Sequence, residues 1–336
     1  MKKNSADGRL LIWQCGINMV KDAPWIGHGL GSFEAHYMDY QANFFKQCGQ
    51  SRFSMLADNV KQPFNEYLGL LLNFGIIGLL VLLLLMVIII YCYRKNPSVE
   101  KQIAFYSLSS IGIFSFFSYP FAYPFVWVVT FLSIFIITSE YIKPLFSNIL
   151  IKKIACMFIL TYSLFGSSKL FERIQAELDW GKASTLALCK SYNETLPTYE
   201  RLEKMFVSNP YFLYNYAAVL QEMKQYTESL EVALKCRQYW ADYDLELIIG
   251  ENYQQLNKPE LAEKYYNSAS MMCPSRFLPL YKLFHLYKTN GEKERSLAMA
   301  EAVISKPMKI KTTTIRMMKR EMEREIQKMN MSIKLE

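Results

Sequence analysis

The pattern of apolar and polar positions changes character along the chain. Residues 67–171 carry long uncharged runs, residues 172–336 are polar with helical periodicity, and residues 1–66 are mixed. No residue between Glu66 and Arg94 is charged. A helix needs about 20 apolar residues to cross a hydrocarbon core of about 30 Å. Residues 79–90 are apolar on every face, which leaves a soluble helix nothing polar to expose. The next uncharged run, 102–139, is too long for one crossing, and Pro120 and Pro124 interrupt it. Each proline removes a backbone donor and pushes the residue before it out of the helical region. This predicts a helical hairpin. A shorter run, 154–168, lies between Lys153 and Lys169, whose side chains can snorkel. The prediction is therefore about four transmembrane helices, near 67–93, 103–118, 122–139 and 152–170.

Lysine and arginine in short connections orient such helices. Arg94, Lys95 and Lys101 occupy the first connection, Lys143, Lys152 and Lys153 the second, and the 119–124 turn has none. Both basic connections are expected on the cytoplasmic side of the membrane, and the turn outside. Residues 1–66 and the C-terminal region then lie outside, in the periplasm of a cell with two membranes.

The C-terminal region repeats itself. Gly250, Tyr253, Ala262, Tyr266, Ala269 and Pro274 follow the small/aromatic/proline spacing of a tetratricopeptide unit. A period of about 34 residues gives Phe284, Tyr287, Ser296, Ala300 and Val303 on one side, and Ala217, Leu220, Ser229, Ala233 and Cys236 on the other. A weaker copy is read at Leu186, Cys189, Thr198, Leu202, Met205 and Pro210. Small residues belong where paired helices approach, aromatics fill the gaps, and proline ends the second helix. The expected fold is all-α: polytopic transmembrane helices followed by an α-solenoid of tetratricopeptide repeats. Its parts are an extracytoplasmic segment at 1–66, the membrane region at 67–171, repeats at 172–311 and a capping helix and tail at 312–336. Tyr211, Tyr214, Tyr216, Tyr239, Tyr243, Tyr265 and Tyr266 pack between repeats or face a protein or glycan partner.

Composition narrows the function classes. The 336 residues are 51% hydrophobic with net charge +8, but no basic stripe of the kind nucleic acids require is present. The seven cysteines form no CxxC pair, so a zinc site is not expected. Cys15 and Cys48 are free thiols, or pair if their segment is exported.

Residues 1–66 carry the most informative motifs. They read Gly8-Arg9 and Trp13, then Pro24-Trp25-Ile26-Gly27-His28-Gly29-Leu30-Gly31-Ser32-Phe33, then Ala57-Asp58-Asn59-Val60-Lys61-Gln62-Pro63-Phe64-Asn65-Glu66-Tyr67-Leu68, with Phe74-Gly75-Ile76-Ile77-Gly78 following. In this order they resemble the second half of the O-antigen ligase/polymerase family of bacterial membrane glycosyltransferases. Members ending in tetratricopeptide repeats are similar as far as the Arg276-Phe277-Leu278-Pro279-Leu280-Tyr281 stretch.

The resemblance implies transfer of an undecaprenyl-pyrophosphate-linked oligosaccharide to a lipid, polysaccharide or protein acceptor, without metal or cofactor. By motif, Arg9 matches the family's pyrophosphate-binding arginine, and a guanidinium suits phosphate because its fork binds two oxygens and stays charged. Lys61 and His28 are further candidates for phosphate. Many members have His-Asn where this chain has Phe64-Asn65. Phenylalanine cannot accept a proton, so Asn65 and Glu66 become the catalytic candidates, with Glu66 also suited to its place as an acid at a helix N-terminus. The resemblance further implies that spans usually found upstream are absent, so that the chain alone is not expected to catalyse. The competing reading is a non-catalytic, membrane-anchored adaptor whose repeats recruit an envelope-assembly protein.

Overall fold

The computed structural model describes the backbone of residues 2–49, 51–142 and 149–333, and their side chains except those of 2–5, 142, 149–152, 155, 159 and 330–333. Lys143, and the side chain of Lys152, from the second basic connection lie outside the described residues. Among the described residues there is no strand, as an all-α fold requires. The chain divides into two compact units: 1–15, 34–61 and 183–336 form one, and 16–33 and 62–182 form the other.

The second unit holds the apolar helices. Two helices precede them in sequence, α1 (Lys2–Asp22) and α2 (Ser32–Cys48). Then come α3 (Glu66–Lys95), α4 (Val99–Phe114), a 3-10 turn (Pro120–Ala122), α5 (Pro124–Ile142) and α6 (Ile149–Leu188). Among the described residues, two helices are long and apolar enough to cross a membrane, Glu66–Lys95 and Pro124–Tyr141. The 16 residues of α4 make a shorter helix, of about 24 Å. The fourth expected span, 152–170, is not a separate helix. It is the first half of α6, which runs on to Leu188 through the charged pairs Lys169–Glu172 and Arg173–Glu177. With no proline or cap to stop it, the helix continues where sequence hydropathy ends.

The hairpin predicted around Pro120 and Pro124 is present as α4, the 3-10 turn and α5. At the other end of these helices Cys92, Ala104 and Ile137 form a small buried cluster. Beside it Lys101 pairs with Glu140 at 3.2 Å, and Asn96 donates to the same carboxylate.

α3 is broken at Gly75, whose φ of 62° and ψ of −159° are not helical. A break strands backbone groups that a helix would pair. Residues 24–29 take them up. His28 N donates to the Leu72 carbonyl at 2.8 Å and Gly29 N to Asn73 at 3.0 Å, while Ile76 N and Ile77 N donate to the Pro24 and Trp25 carbonyls. Ser32 Oγ donates to Asn73 Oδ1 at 3.0 Å. The glycines make this approach possible: a Cβ on Gly27 would stand 2.6 Å from the Asn73 carbonyl carbon, and one on Gly75 only 2.3 Å from the Trp25 oxygen.

The first unit contains the repeats. Helix pairs α8 (Pro210–Glu222) with α9 (Tyr226–Arg237), α10 (Tyr243–Gln255) with α11 (Pro259–Met272), and α12 (Leu278–Thr289) with α13 (Lys293–Ser305) follow one another. The three copies read from sequence place Ala217, Ala233, Ala262, Tyr266, Ala269, Phe284, Ser296 and Ala300 fully inside. Gly250 is small because the Tyr266 ring lies 2.6 Å from where its Cβ would be. The weakest copy needs a correction. Leu186, Cys189 and Met205 are exposed, whereas Ala183, Thr195, Tyr199 and Leu202 are buried. These lie one repeat of about 34 residues ahead of Ala217, Ser229, Ala233 and Cys236, so the register is three residues earlier than the sequence reading. The first pair is thus the end of α6 with α7 (Tyr192–Leu202). After the last pair, α14 (Thr313–Ile333) inserts Met322 among Phe277, Phe284, Ala300 and Val303, and its polar side bonds Tyr281 through Glu321.

Candidate functional site

The residues singled out from sequence fall in two environments. Asn65, Glu66 and His28 belong to the unit of apolar helices. Arg9 and Lys61 belong to the repeat unit.

At the head of α3, Asn65 is the N-cap: its side chain accepts from Leu68 N at 2.9 Å. Glu66 occupies the first turn, where a carboxylate faces the positive end of the helix dipole. Its Oε1 accepts from Phe121 N at 3.0 Å, and its own N–H donates to the Ser115 carbonyl. Tyr67 donates to the Gly112 carbonyl at 2.8 Å and its ring lies 4.4 Å from that of Phe116. Phe64, with φ of 54°, sets its ring edge-on to Tyr119 at 5.2 Å. Phe64, Glu66 and Tyr67 thus grip the end of α4 and the proline turn, and one carboxylate oxygen of Glu66 is held in fixed orientation there. A histidine at position 64 would meet the same aromatic neighbour.

His28 stands in the glycine turn. One ring nitrogen lies 2.9 Å from the Met19 carbonyl, to which it donates, so the ring ties the turn back to α1. Of the turn's glycines, Gly27 serves the approach to α3 described above, while a Cβ on Gly29 or Gly31 would meet open space.

In the repeat unit, residues 34–61 lie along the connections between repeats. Gln41, fully buried, donates to the Met272 carbonyl at 2.6 Å and accepts from the Tyr37 hydroxyl at 2.8 Å. Asn59 Oδ1 accepts from Tyr243 N at 3.2 Å. Asp58 pairs with Arg276 at 2.7 Å and with Lys309 at 3.6 Å. Burial raises the Asp58 carboxyl, but the hydrogen bond and charge of Arg276, the Asn59 N–H and Lys309 together outweigh it and hold the group below its ordinary value. The Ala57-Asp58-Asn59 motif and the Arg276-Phe277 motif, distant in sequence, therefore meet. Arg237 bonds both Asp39 and the buried Glu246.

Lys61 ends this segment. Its ammonium lies 4.3 Å from the Tyr211 ring centre and 5.3 Å from that of Trp240. The Tyr211 hydroxyl donates to Glu34 at 3.2 Å. Burial pushes Glu34 up, with Tyr211 and Lys61 opposing. Asp242, the N-cap of α10, is pushed up to about 6 by burial and by Asp244. One ammonium here faces two carboxylates, a setting that favours a cation over a phosphate. Arg9 lies partly buried on α1, and Leu11 and Cys15 of the same helix are fully buried.

The tyrosines resolve individually. Tyr216, Tyr243 and Tyr266 are buried packing residues, Tyr211 lines the Lys61 corner, and Tyr239 is exposed. Cys15 is buried and Cys48 exposed, and both are free thiols. Among the described residues no group of three or more His, Cys, Asp or Glu could hold a metal ion. Gln41, Glu34, Trp240 and the Arg237–Glu246 pair were not singled out from sequence. Only the N-cap position of Asp242 ahead of a helical run carried a local signal.

A family model described as O-antigen ligase matches residues 1–83. The match takes in Arg9, the glycine turn, Lys61, Asn65, Glu66 and α3 past its break. It is confined to this part, whereas the resemblance drawn from sequence extended over nearly the whole chain. No curated protein matches the chain. Among solved structures, the crystal structure of MamA protein aligns with 46% of this chain and 89% of its own, at 13% identity and a TM-score of 0.37.

Proposed function

We propose that the chain takes part in ligase- or polymerase-like transfer of a lipid-linked glycan at a membrane crossed by α3 and α5. The match of residues 1–83 to the O-antigen ligase family carries this reading, and the residues to which the chemistry is assigned below lie within it. The donor is an undecaprenyl-pyrophosphate-linked oligosaccharide, and the acceptor a hydroxyl of a lipid, polysaccharide or protein. The membrane is the bacterial inner membrane, with residues 1–66 and the repeats on its periplasmic side.

Glu66 is the proposed general base. The acceptor oxygen attacks the anomeric carbon, its proton passes to the Glu66 carboxylate, and the bond from that carbon to the pyrophosphate oxygen breaks. Support comes from the hydrogen bond of Phe121 N to Oε1, which orients the carboxylate at the head of α3. The bonding pair leaves with the pyrophosphate oxygen, which gains a negative charge and calls for a cation. Arg9 is the proposed one, by its motif match to the family's pyrophosphate-binding arginine. Asn65, as N-cap, fixes the backbone that presents Glu66 and is a positioning residue.

The test is glycan transfer in membranes, comparing Glu66→Gln, Arg9→Ala and Lys61→Ala, together with any upstream chain the activity needs. Loss of turnover in Glu66→Gln, and of donor affinity in Arg9→Ala, is expected, with Lys61→Ala near wild type. Wild-type transfer in the first two would remove the catalytic reading and favour the adaptor.

A further inference from the structure

The glycine turn has an outer face that the reaction does not use. Trp25, Ile26 and Leu30 expose 67%, 72% and 81% of their surface, although all three are large and apolar. Phe74 and Ile77, on either side of the break in α3, are exposed as well. In water such a cluster is costly, at about 25 cal/mol for each Å² of apolar surface.

The level of the turn along α3 says what covers it. Its carbonyls bond Ile76 N and Ile77 N, and its amides bond the Leu72 and Asn73 carbonyls. Ile76 lies ten residues from Glu66, about 15 Å along a helix that rises 1.5 Å per residue. That is about half of a hydrocarbon core of about 30 Å. Irregular backbone at such depth must have its polar groups taken up by protein. Seven hydrogen bonds serve the turn in this way. Besides the four bonds to α3, Gly27 N donates to Ala23, Ser32 N to Gly29, and Ser32 Oγ to Asn73. The polar side of the turn is spent on the helix, and its apolar side chains point away from it.

We propose that residues 24–33 form a re-entrant turn seated in one leaflet of the bilayer, with Trp25, Ile26 and Leu30 in contact with lipid acyl chains. This rests on the reading of α3 as a membrane span. Gly27 and Gly75 are then needed for close packing of the turn on the broken span, and the break provides the hydrogen bonds that let the turn enter.

Tryptophan quenching by brominated lipids tests this. The full chain is reconstituted in phosphatidylcholine vesicles whose acyl chains carry bromine near their middle. The difference in emission between wild type and Trp25→Phe isolates Trp25, and this substitution at an exposed site leaves the fold intact. A Leu84→Trp variant places a reference tryptophan on an exposed face of α3. The expected result is loss of most of the Trp25 emission on bromination, together with quenching at position 84. Quenching at 84 with Trp25 unaffected means that protein, not lipid, covers the turn, and overturns the proposal alone. No quenching at either position overturns the membrane reading of α3 along with it.

Discussion

Gln41 donates its Nε2 hydrogen to the carbonyl oxygen of Met272, 231 residues further along the chain and 2.6 Å away. The side chain is fully buried, and the Tyr37 hydroxyl donates to its other end. A glutamine with both ends used fixes the segment before α3 to the repeats more firmly than any surface charge can. Asp58 and Arg276, by contrast, are 42% and 51% exposed, and exposed ion pairs contribute about 0–1 kcal/mol.

Gln41→Leu is therefore expected to cost more than Arg276→Ala. It removes the donor to the buried Met272 carbonyl, at about 1–3 kcal/mol, and leaves the Tyr37 hydroxyl only its bond with Cys15. Cys273 gives the readout, since it is buried with Asn59 Oδ1 3.8 Å from its sulfur. An alkylating reagent followed by peptide mapping should label Cys273 in Gln41→Leu and leave it protected in Arg276→Ala. Equal protection in both would mean that the glutamine does not hold the segment.

Substitution of the glycines should divide them into two classes. Gly27→Ala and Gly75→Ala place a methyl group against backbone at 2.6 and 2.3 Å, where nothing can give way. Both should prevent accumulation of folded protein in the membrane. Gly29→Ala and Gly31→Ala meet open space and suffer only their positive φ, about 1–2 kcal/mol each. These two should accumulate with a modestly lower unfolding temperature.

Asp242 predicts a pH dependence. Its carboxyl titrates at about 6 in the folded chain against an ordinary 3.8, so between these values the native state holds a proton that the unfolded chain has lost. The stability from this group is complete below about 4 and is lost as pH rises through about 6. Two pH units correspond to about 3 kcal/mol at most. An asparagine in its place cannot ionise yet still caps α10. Asp242→Asn should therefore unfold at a higher temperature than wild type at pH 7 and at a similar one at pH 4. Parallel unfolding curves across that range would show that Asp242 carries no such penalty.

The Arg237 pair behaves differently from the surface pairs. Glu246 is 2% exposed, and Arg237 is its cationic partner. Arg237→Met leaves a buried carboxylate uncompensated, a loss of about 3–5 kcal/mol. Adding Glu246→Leu should restore much of it, because an apolar pair needs no desolvation. Thermal unfolding of the three proteins measures the coupling.

The sequence was most legible where local pattern and burial coincide. The positions of Gly250 and Tyr266 recur as Ala217 with Ala233 and as Phe284 with Ala300, and the helix pairs around them bury the small residues that this spacing marked. The first copy was read three residues late because its buried positions are Ala183, Thr195 and Tyr199, of which the last two depart from the family's small residues. Hydropathy located α3 and α5. At α6 it marked only the apolar half, since a helix that leaves the apolar region without a stop signal looks the same as one that ends. Gly27 and Gly75 were visible as motif letters, but a one-dimensional pattern does not show that two glycines make room for each other's backbone. Gln41 gave no signal at all: one polar residue on a polar helix is ordinary until Met272 is brought beside it.

The return of residues 34–61 to the solenoid has a consequence for shuffling of modules. An array that interacted only with itself could be exchanged between relatives at any point after α6. Here a transplant that took the solenoid and left its docked strap behind would bare the Lys61 corner and the thiol under Asn59 together. Chimeric chains should thus tolerate a foreign array only when the strap travels with it, so that two regions far apart in the gene are inherited as one cassette.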